Sequence, residues 1–167
     1  TAQNGAGNVT FAAVENLTGN TANDVFNLAF NLSGAAAGGA GDDSFNLGTA
    51  VNATVAGGNG TDSLVGAATA STFTVASAGA GSAVNGAGTV QFSTLENLTG
   101  GAAADTFNLN ANLAGTADGA AGNDNFNLAA AVAGTVVGGD GTDTLTGSSS
   151  ATTFTVTAAD AGTAANG

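Results

Sequence analysis

The chain repeats itself. Shifted so that Thr1 falls on Ser82, it aligns with itself without a gap, and more than half of the aligned positions are identical. Val14–Gly19 (VENLTG) falls on Leu95–Gly100 (LENLTG), Phe26–Leu28 on Phe107–Leu109, Phe45–Leu47 on Phe126–Leu128, and Thr72–Val75 on Thr153–Val156. A fixed internal period restricts the fold more than any single motif does. Each copy is one structural unit that cannot bury its apolar face alone and must stack on its neighbours. The period divides the chain into repeats 1–81 and 82–162, with a third unit begun at 163–167. No linker interrupts the joint, so one continuous body over residues 1–167 is expected.

A shorter period lies inside the long one. Asp24, Asp43 and Asp62 are evenly spaced, and Asp105, Asp124 and Asp143 repeat the same 19-residue interval. Two places after each stands a large apolar residue: Phe26, Phe45, Leu64, Phe107, Phe126 and Leu145. Alternation of period two marks strands. Val25–Leu32 (VFNLAFNL) predicts one face of Phe26, Leu28, Phe30 and Leu32. Thr72–Val75 (TFTV) and Thr89–Phe92 (TVQF) alternate too, and the long segment from Asp62 to Asp105 has room for two more turns. Short strands, glycine-rich corners and a period near 20 predict an all-β fold, a parallel β-solenoid of about eight turns of about 20 residues. Identical turns stack about 4.8 Å apart, so Phe meets Phe, Leu meets Leu, and Asn27, Asn46, Asn108 and Asn127 form outward amide ladders.

Composition removes several function classes. There is no Lys, Arg, His, Cys, Met, Trp, Tyr or Pro, and 12 Asp and Glu give a formal charge of -12. Without cations the chain cannot neutralise phosphates, so nucleic acid is not an expected partner. No apolar run approaches the ~20 residues of a membrane span, and membrane insertion is not expected. The usual bases, nucleophiles and charge-stabilising groups are missing. Asp42–Asp43 is the one adjacent carboxylate pair, and the second repeat has Asn123–Asp124 there, so no enzyme is expected. An apolar share of 43% with nine Phe at regular places indicates a packed core rather than a disordered chain.

Stacking poses a problem for the aspartates. Like charges one rung apart repel by about 3 kcal/mol even at an effective dielectric of 20, and the chain has no cation to offset this. Two structural answers are open. The aspartates are corner residues that cap turns with their own side chains, or a hard cation sits between turns on oxygen ligands. Glu15 and Glu96 read as solvated turn residues, and Asp118 and Asp160, which have no counterpart in the other repeat, as surface residues.

Gly57–Val65 (GGNGTDSLV) and Gly138–Thr146 (GGDGTDTLT) resemble the RTX, or haemolysin-type calcium-binding, nonapeptide G-G-x-G-x-D-x-U-x, and Gly38–Asn46 (GGAGDDSFN) matches it too. Gly119–Asn127 has Ala120 in place of the second glycine, while Gly19–Asn27 and Gly100–Asn108 keep the aspartate and lose glycines. RTX nonapeptides follow one another twice per turn, whereas here one half of each turn carries the motif. The chain as a whole is similar to the β-strand-repeat regions of large bacterial surface adhesins. The resemblance implies Ca2+ as cofactor with Asp24, Asp43, Asp62, Asp105, Asp124 and Asp143 as metal ligands, and a secreted location on the bacterial surface or in extracellular matrix.

The expected function is structural: a rigid, acidic rod or filament for adhesion, biofilm matrix or cell coating. Its expected partners are further copies of the same repeat, in the same chain or end to end, since no polar capping turn closes either end. Ice or other ligand binding is the alternative. Ice-binding solenoids with 19-residue turns carry Thr-x-Asn on every rung, and here only Thr21/Asn23 has that pair among the positions preceding the six aspartates.

Overall fold

The computed structural model describes residues 2–4, 7–9, 12–129, 132–150, 152–158 and 161–166, which hold nineteen strands and no helix. A hairpin of β1 (Ala2–Asn4) and β2 (Gly7–Val9) precedes β3 (Leu17–Thr18), β4 (Val25–Leu28), β5 (Ala35–Ala40), β6 (Ser44–Leu47), β7 (Ala53–Asn59) and β8 (Ser63–Val65). Then come β9 (Ser71–Ser77), β10 (Ala80–Asn85) and β11 (Gly88–Ser93). They are followed by β12 (Asn97–Thr99), β13 (Thr106–Leu109), β14 (Thr116–Asp118), β15 (Asn125–Leu128), β16 (Thr135–Val137) and β17 (Thr144–Thr146). A second hairpin, β18 (Thr152–Ala158) and β19 (Ala161–Asn166), ends the series.

Two long sheets make the body. One has nine strands in the order β17-β15-β13-β9-β10-β11-β7-β5-β3, the other six in the order β16-β14-β12-β8-β6-β4. The chain passes from one to the other at each corner, building a parallel β-solenoid of about seven turns. The terminal hairpins are sheets of their own.

Register is like on like. Phe26 pairs with Phe45 and Leu28 with Leu47; Phe107 pairs with Phe126 and Leu109 with Leu128. Rings of Phe26 and Phe45, and of Phe73, Phe107 and Phe126, stack 4.8 Å apart with interplanar angles of 11–12°. Phe45, Phe73, Phe107, Leu64 and Leu98 have no exposed surface. Each such side chain contributes about 1.5–3 kcal/mol of transfer free energy, but only with a rung above and below to cover it.

A 19-residue turn must hold two strands and two corners, which leaves few residues for each strand. Val25–Leu32 is therefore not one long strand. It ends at Leu28, the chain bends, and Phe30 is 85% exposed, contrary to the predicted face, while Leu32 packs partly against the core.

The larger correction concerns the segment between Asp62 and Asp105. It does not add two turns, so the total is about seven and not eight. The TFTV and TVQF stretches are β9 and β11, and both lie in the nine-stranded sheet with β10 running back between them, antiparallel to each. Two-residue loops join them, with Gly79 at φ +64° in one and Gly86 at φ +58° in the other, a backbone that suits glycine. The turn containing this meander is the long one: Leu64 pairs directly with Leu98, whereas the turn before it closes Phe45 on Leu64.

One consequence is a change of side. Two turns of 19, one of 34 and a half turn of nine carry Asp24 to Asp105. One 81-residue repeat thus makes three and a half turns, and equivalent strands fall in opposite sheets. The Phe-Asn-Leu strands β4 and β6 lie in the six-stranded sheet, and their counterparts β13 and β15 in the nine-stranded one.

Candidate functional site: two aspartate columns

The half-turn phase splits the six predicted aspartates into two columns at corners entering different sheets. Asp24, Asp43 and Asp62 precede β4, β6 and β8; Asp105, Asp124 and Asp143 precede β13, β15 and β17. Asp43, Asp62, Asp105 and Asp124 are buried, and Asp24 and Asp143 partly so.

Each column has the same hydrogen-bond logic. Asp24 N–H donates to Asp43 Oδ1 (2.8 Å), Asp43 N–H to Asp62 Oδ1 (2.8 Å), and Asp62 N–H to Glu96 Oε2 (2.9 Å). On the other side Ser71 N–H donates to Asp105 Oδ1 (2.6 Å), Asp105 N–H to Asp124 Oδ1 (2.7 Å), and Asp124 N–H to Asp143 Oδ1 (2.9 Å). At these corners the N–H needs an acceptor other than the next rung's carbonyl, and a buried N–H left unpaired is costly. The carboxylate of the next rung supplies it. One residue earlier the polarity is reversed: Asp42 and Asn123 accept from the N–H of Thr61 and Thr142 on the following rung, at 2.8 and 2.9 Å.

Glu96 is therefore not a solvated turn residue. It continues the first column one rung beyond Asp62, its longer arm reaching the same N–H. Its counterpart Glu15 is exposed, with no rung beneath it among the described residues. Ser71 opens the second column. Neither was visible in the 19-residue period, because both partners lie 34 residues away across the meander. Asp118 caps its own corner, accepting from Ala120 N–H at 3.0 Å. Asp160 lies outside the described residues. The predicted amide ladder is present in two pairs, Asn46 to Asn27 at 2.9 Å and Asn127 to Asn108 at 3.0 Å.

The second carboxylate oxygens differ. Asp24 Oδ2 accepts from Asn20 N–H and Asp105 Oδ2 from Gly101 N–H. Oδ2 of Asp43, Asp62 and Asp124 is buried with no hydrogen-bond partner. Each lies against the first glycine of its motif: a Cβ on Gly38, Gly57 or Gly119 would collide with that oxygen and with a backbone carbonyl. The first glycine is thus required by its own aspartate. Ala120, where the second glycine is missing, takes φ +69°, a left-handed backbone that strains a side-chain-bearing residue.

Charge follows burial. Desolvation raises the pKa of Asp62, with Asp43, Glu96 and Asp42 as like charges adding to it and the Asp43 N–H opposing it. Burial raises Asp105 against the N–H groups of Gly101 and Ser71, and raises Asp124 against the N–H of Asp105, with Asp143 and Asp118 as further like charges.

Partnerless hard oxygens are the donor type that calcium takes, and Asp43, Asp62 and Asp124 each offer one. The other oxygen of each is committed to an N–H, and no group of three acidic side chains converges among the described residues. The columns offer single oxygens, one per rung, not a preformed cage. No family model, curated protein or solved structure matches the chain.

Proposed function

We propose that the protein is a structural module: a stiff, acidic solenoid segment of an extracellular rod or filament, serving adhesion, biofilm matrix or cell coating on a bacterial surface. The observation that carries this reading is the like-on-like register, which continues across the joint between the repeats, where Leu64 pairs with Leu98 and Phe73 with Phe107. Polar side chains are spent on neighbouring rungs, and binding energy is directed along the axis. A surface without Lys or Arg is also free of trypsin-type cleavage sites.

Calcium is part of this proposal, supported by the three buried oxygens without N–H partners and by the RTX-like loops around them. The ion would bind Oδ2 of Asp43, Asp62 and Asp124. Two measurements test the reading. In-phase tandem arrays of two and four copies, viewed by electron microscopy, should lengthen by a constant increment at constant width; particles that widen instead would refute the rod. Thermal melting followed by circular dichroism should shift upward when chelator is replaced by millimolar calcium, and an unchanged midpoint would remove calcium from the proposal.

A further inference from the structure

The two ends of the solenoid are halves of one junction that the molecule already contains. The N-terminal hairpin pairs Ala2 with Val9, Gln3 with Asn8 and Asn4 with Gly7. Moved on by one repeat, these are the β10–β11 pairs Ala83–Val90, Val84–Thr89 and Asn85–Gly88. The C-terminal hairpin pairs Thr152 with Asn166, Phe154 with Ala164 and Val156 with Gly162. Moved back by one repeat, these are the β9–β10 pairs Ser71–Asn85, Phe73–Ala83 and Val75–Gly81. One end thus carries the second half of the internal meander and the other end the first half, with the middle strand present in both.

The exposed apolar residues point the same way. Leu145 is 38% exposed where its counterpart Leu64 is 0%, and Phe154 is 50% exposed where Phe73 is 0%. At the other end Val14 is 43% exposed where its counterpart Leu95 is 0%. Strand numbers agree as well. The sheets have nine and six strands, a mismatch created by the internal meander in one of them. Because a repeat makes three and a half turns, the next meander belongs to the opposite sheet, where three more strands restore equality.

We propose that the solenoid binds a second copy of this sequence head to tail: β2 of the incoming copy joins β18 and β19 in a second three-stranded meander, which extends the six-stranded sheet to nine. The register is that of the internal joint shifted by one period. Leu145 stacks on Leu17 of the second copy as Leu64 does on Leu98, and Phe154 on Phe26 as Phe73 does on Phe107. Ala2–Asn4 of the incoming copy gives way to β19, which fills the same place. Successive meanders then project on alternate sides, the extra strands balance, and the axis stays straight with a two-fold screw. Each sheet repeats after nine strands, about 43 Å at about 4.8 Å per strand.

This proposal rests on the rod reading, and its test separates the two. The chain has no cysteine, so single Thr18→Cys and Thr146→Cys variants can be labelled with pyrene. Both positions face outward, and they correspond to the internal neighbours Thr99 and Val65. Mixing the two labelled copies should give an excimer band that neither copy gives alone, and Leu145→Asp should abolish it while leaving the circular dichroism intact. An excimer from either single-labelled sample would mean like ends meet, which overturns the proposal. A folded chain that sediments as a monomer at every concentration overturns it too and leaves the rod reading standing. A chain without β-structure overturns both.

Discussion

Phe26 and Phe107 occupy the same place in two repeats that share more than half of their residues, yet they live in different surroundings. Phe26 lies in the six-stranded sheet, is partly buried and stacks on one ring, that of Phe45. Phe107 lies in the nine-stranded sheet, is fully buried and stacks between the rings of Phe73 and Phe126. Glu15 and Glu96 differ in the same way: one is exposed, and the other, half-buried, accepts the Asp62 N–H at the end of the first column. Local sequence does not make these differences. Position along the stack makes them, because a solenoid residue is worth what the rungs above and below it supply.

The phenylalanine pair should give the largest effect. Phe107→Ala removes a buried ring with neighbours on both faces and should cost about 3–5 kcal/mol in denaturant unfolding. Phe26→Ala should cost less than half of that. Equal costs would mean that the two repeats unfold as separate units and not as one stack.

The aspartate columns sharpen the comparison through pH. Asp62 belongs to the first column, and Asp105 and Asp124 to the second; burial raises all three. A folded pKa above the unfolded one means that the stabilising contribution is fully present below the ordinary carboxylate value of about 4. It is lost as pH rises through the folded value. In chelator, the unfolding midpoint should therefore fall as pH rises from that value. Asp62→Asn and Asp124→Asn should each flatten the slope, since an amide keeps the oxygen that accepts the N–H and carries no charge. A midpoint that climbs with pH would contradict the burial of these carboxylates.

The glutamates give the smallest effect. Glu96→Ala strands the N–H of Asp62 and should cost about 1 kcal/mol, reduced by relief of like charge beside Asp62. Glu15→Ala should leave the unfolding curve in place. If Glu15→Ala proves as damaging as Glu96→Ala, the column does not end where the structure ends it.

Much of the site was legible because its pattern is local. The six aspartates, the apolar residue two places on and the amide pairs at Asn27–Asn46 and Asn108–Asn127 follow from a 19-residue period that is also the spacing of the rungs. Ser71, Glu96 and the division into two columns were not legible, because the partner residues lie 34 apart around a meander that breaks the 19-residue period. A signal for the meander did exist. Asn85–Gly86 between two alternating stretches is a hairpin dipeptide, and it bore on the segment from Asp62 to Asp105 that reads as two turns.

The sequence by itself determined the repeat, the all-β solenoid, the glycine corners and, Phe30 apart, the apolar face of the Phe-Asn-Leu strands. Each of these depends on periodicity and backbone sterics within a few residues. The tertiary structure alone decided the phase. Whether one repeat closes on a whole or a half turn depends on how an inserted segment is paired, and antiparallel return strands consume residues without advancing the chain around the axis. That half turn puts equivalent strands of the two repeats in opposite sheets, and with them the two columns of aspartate.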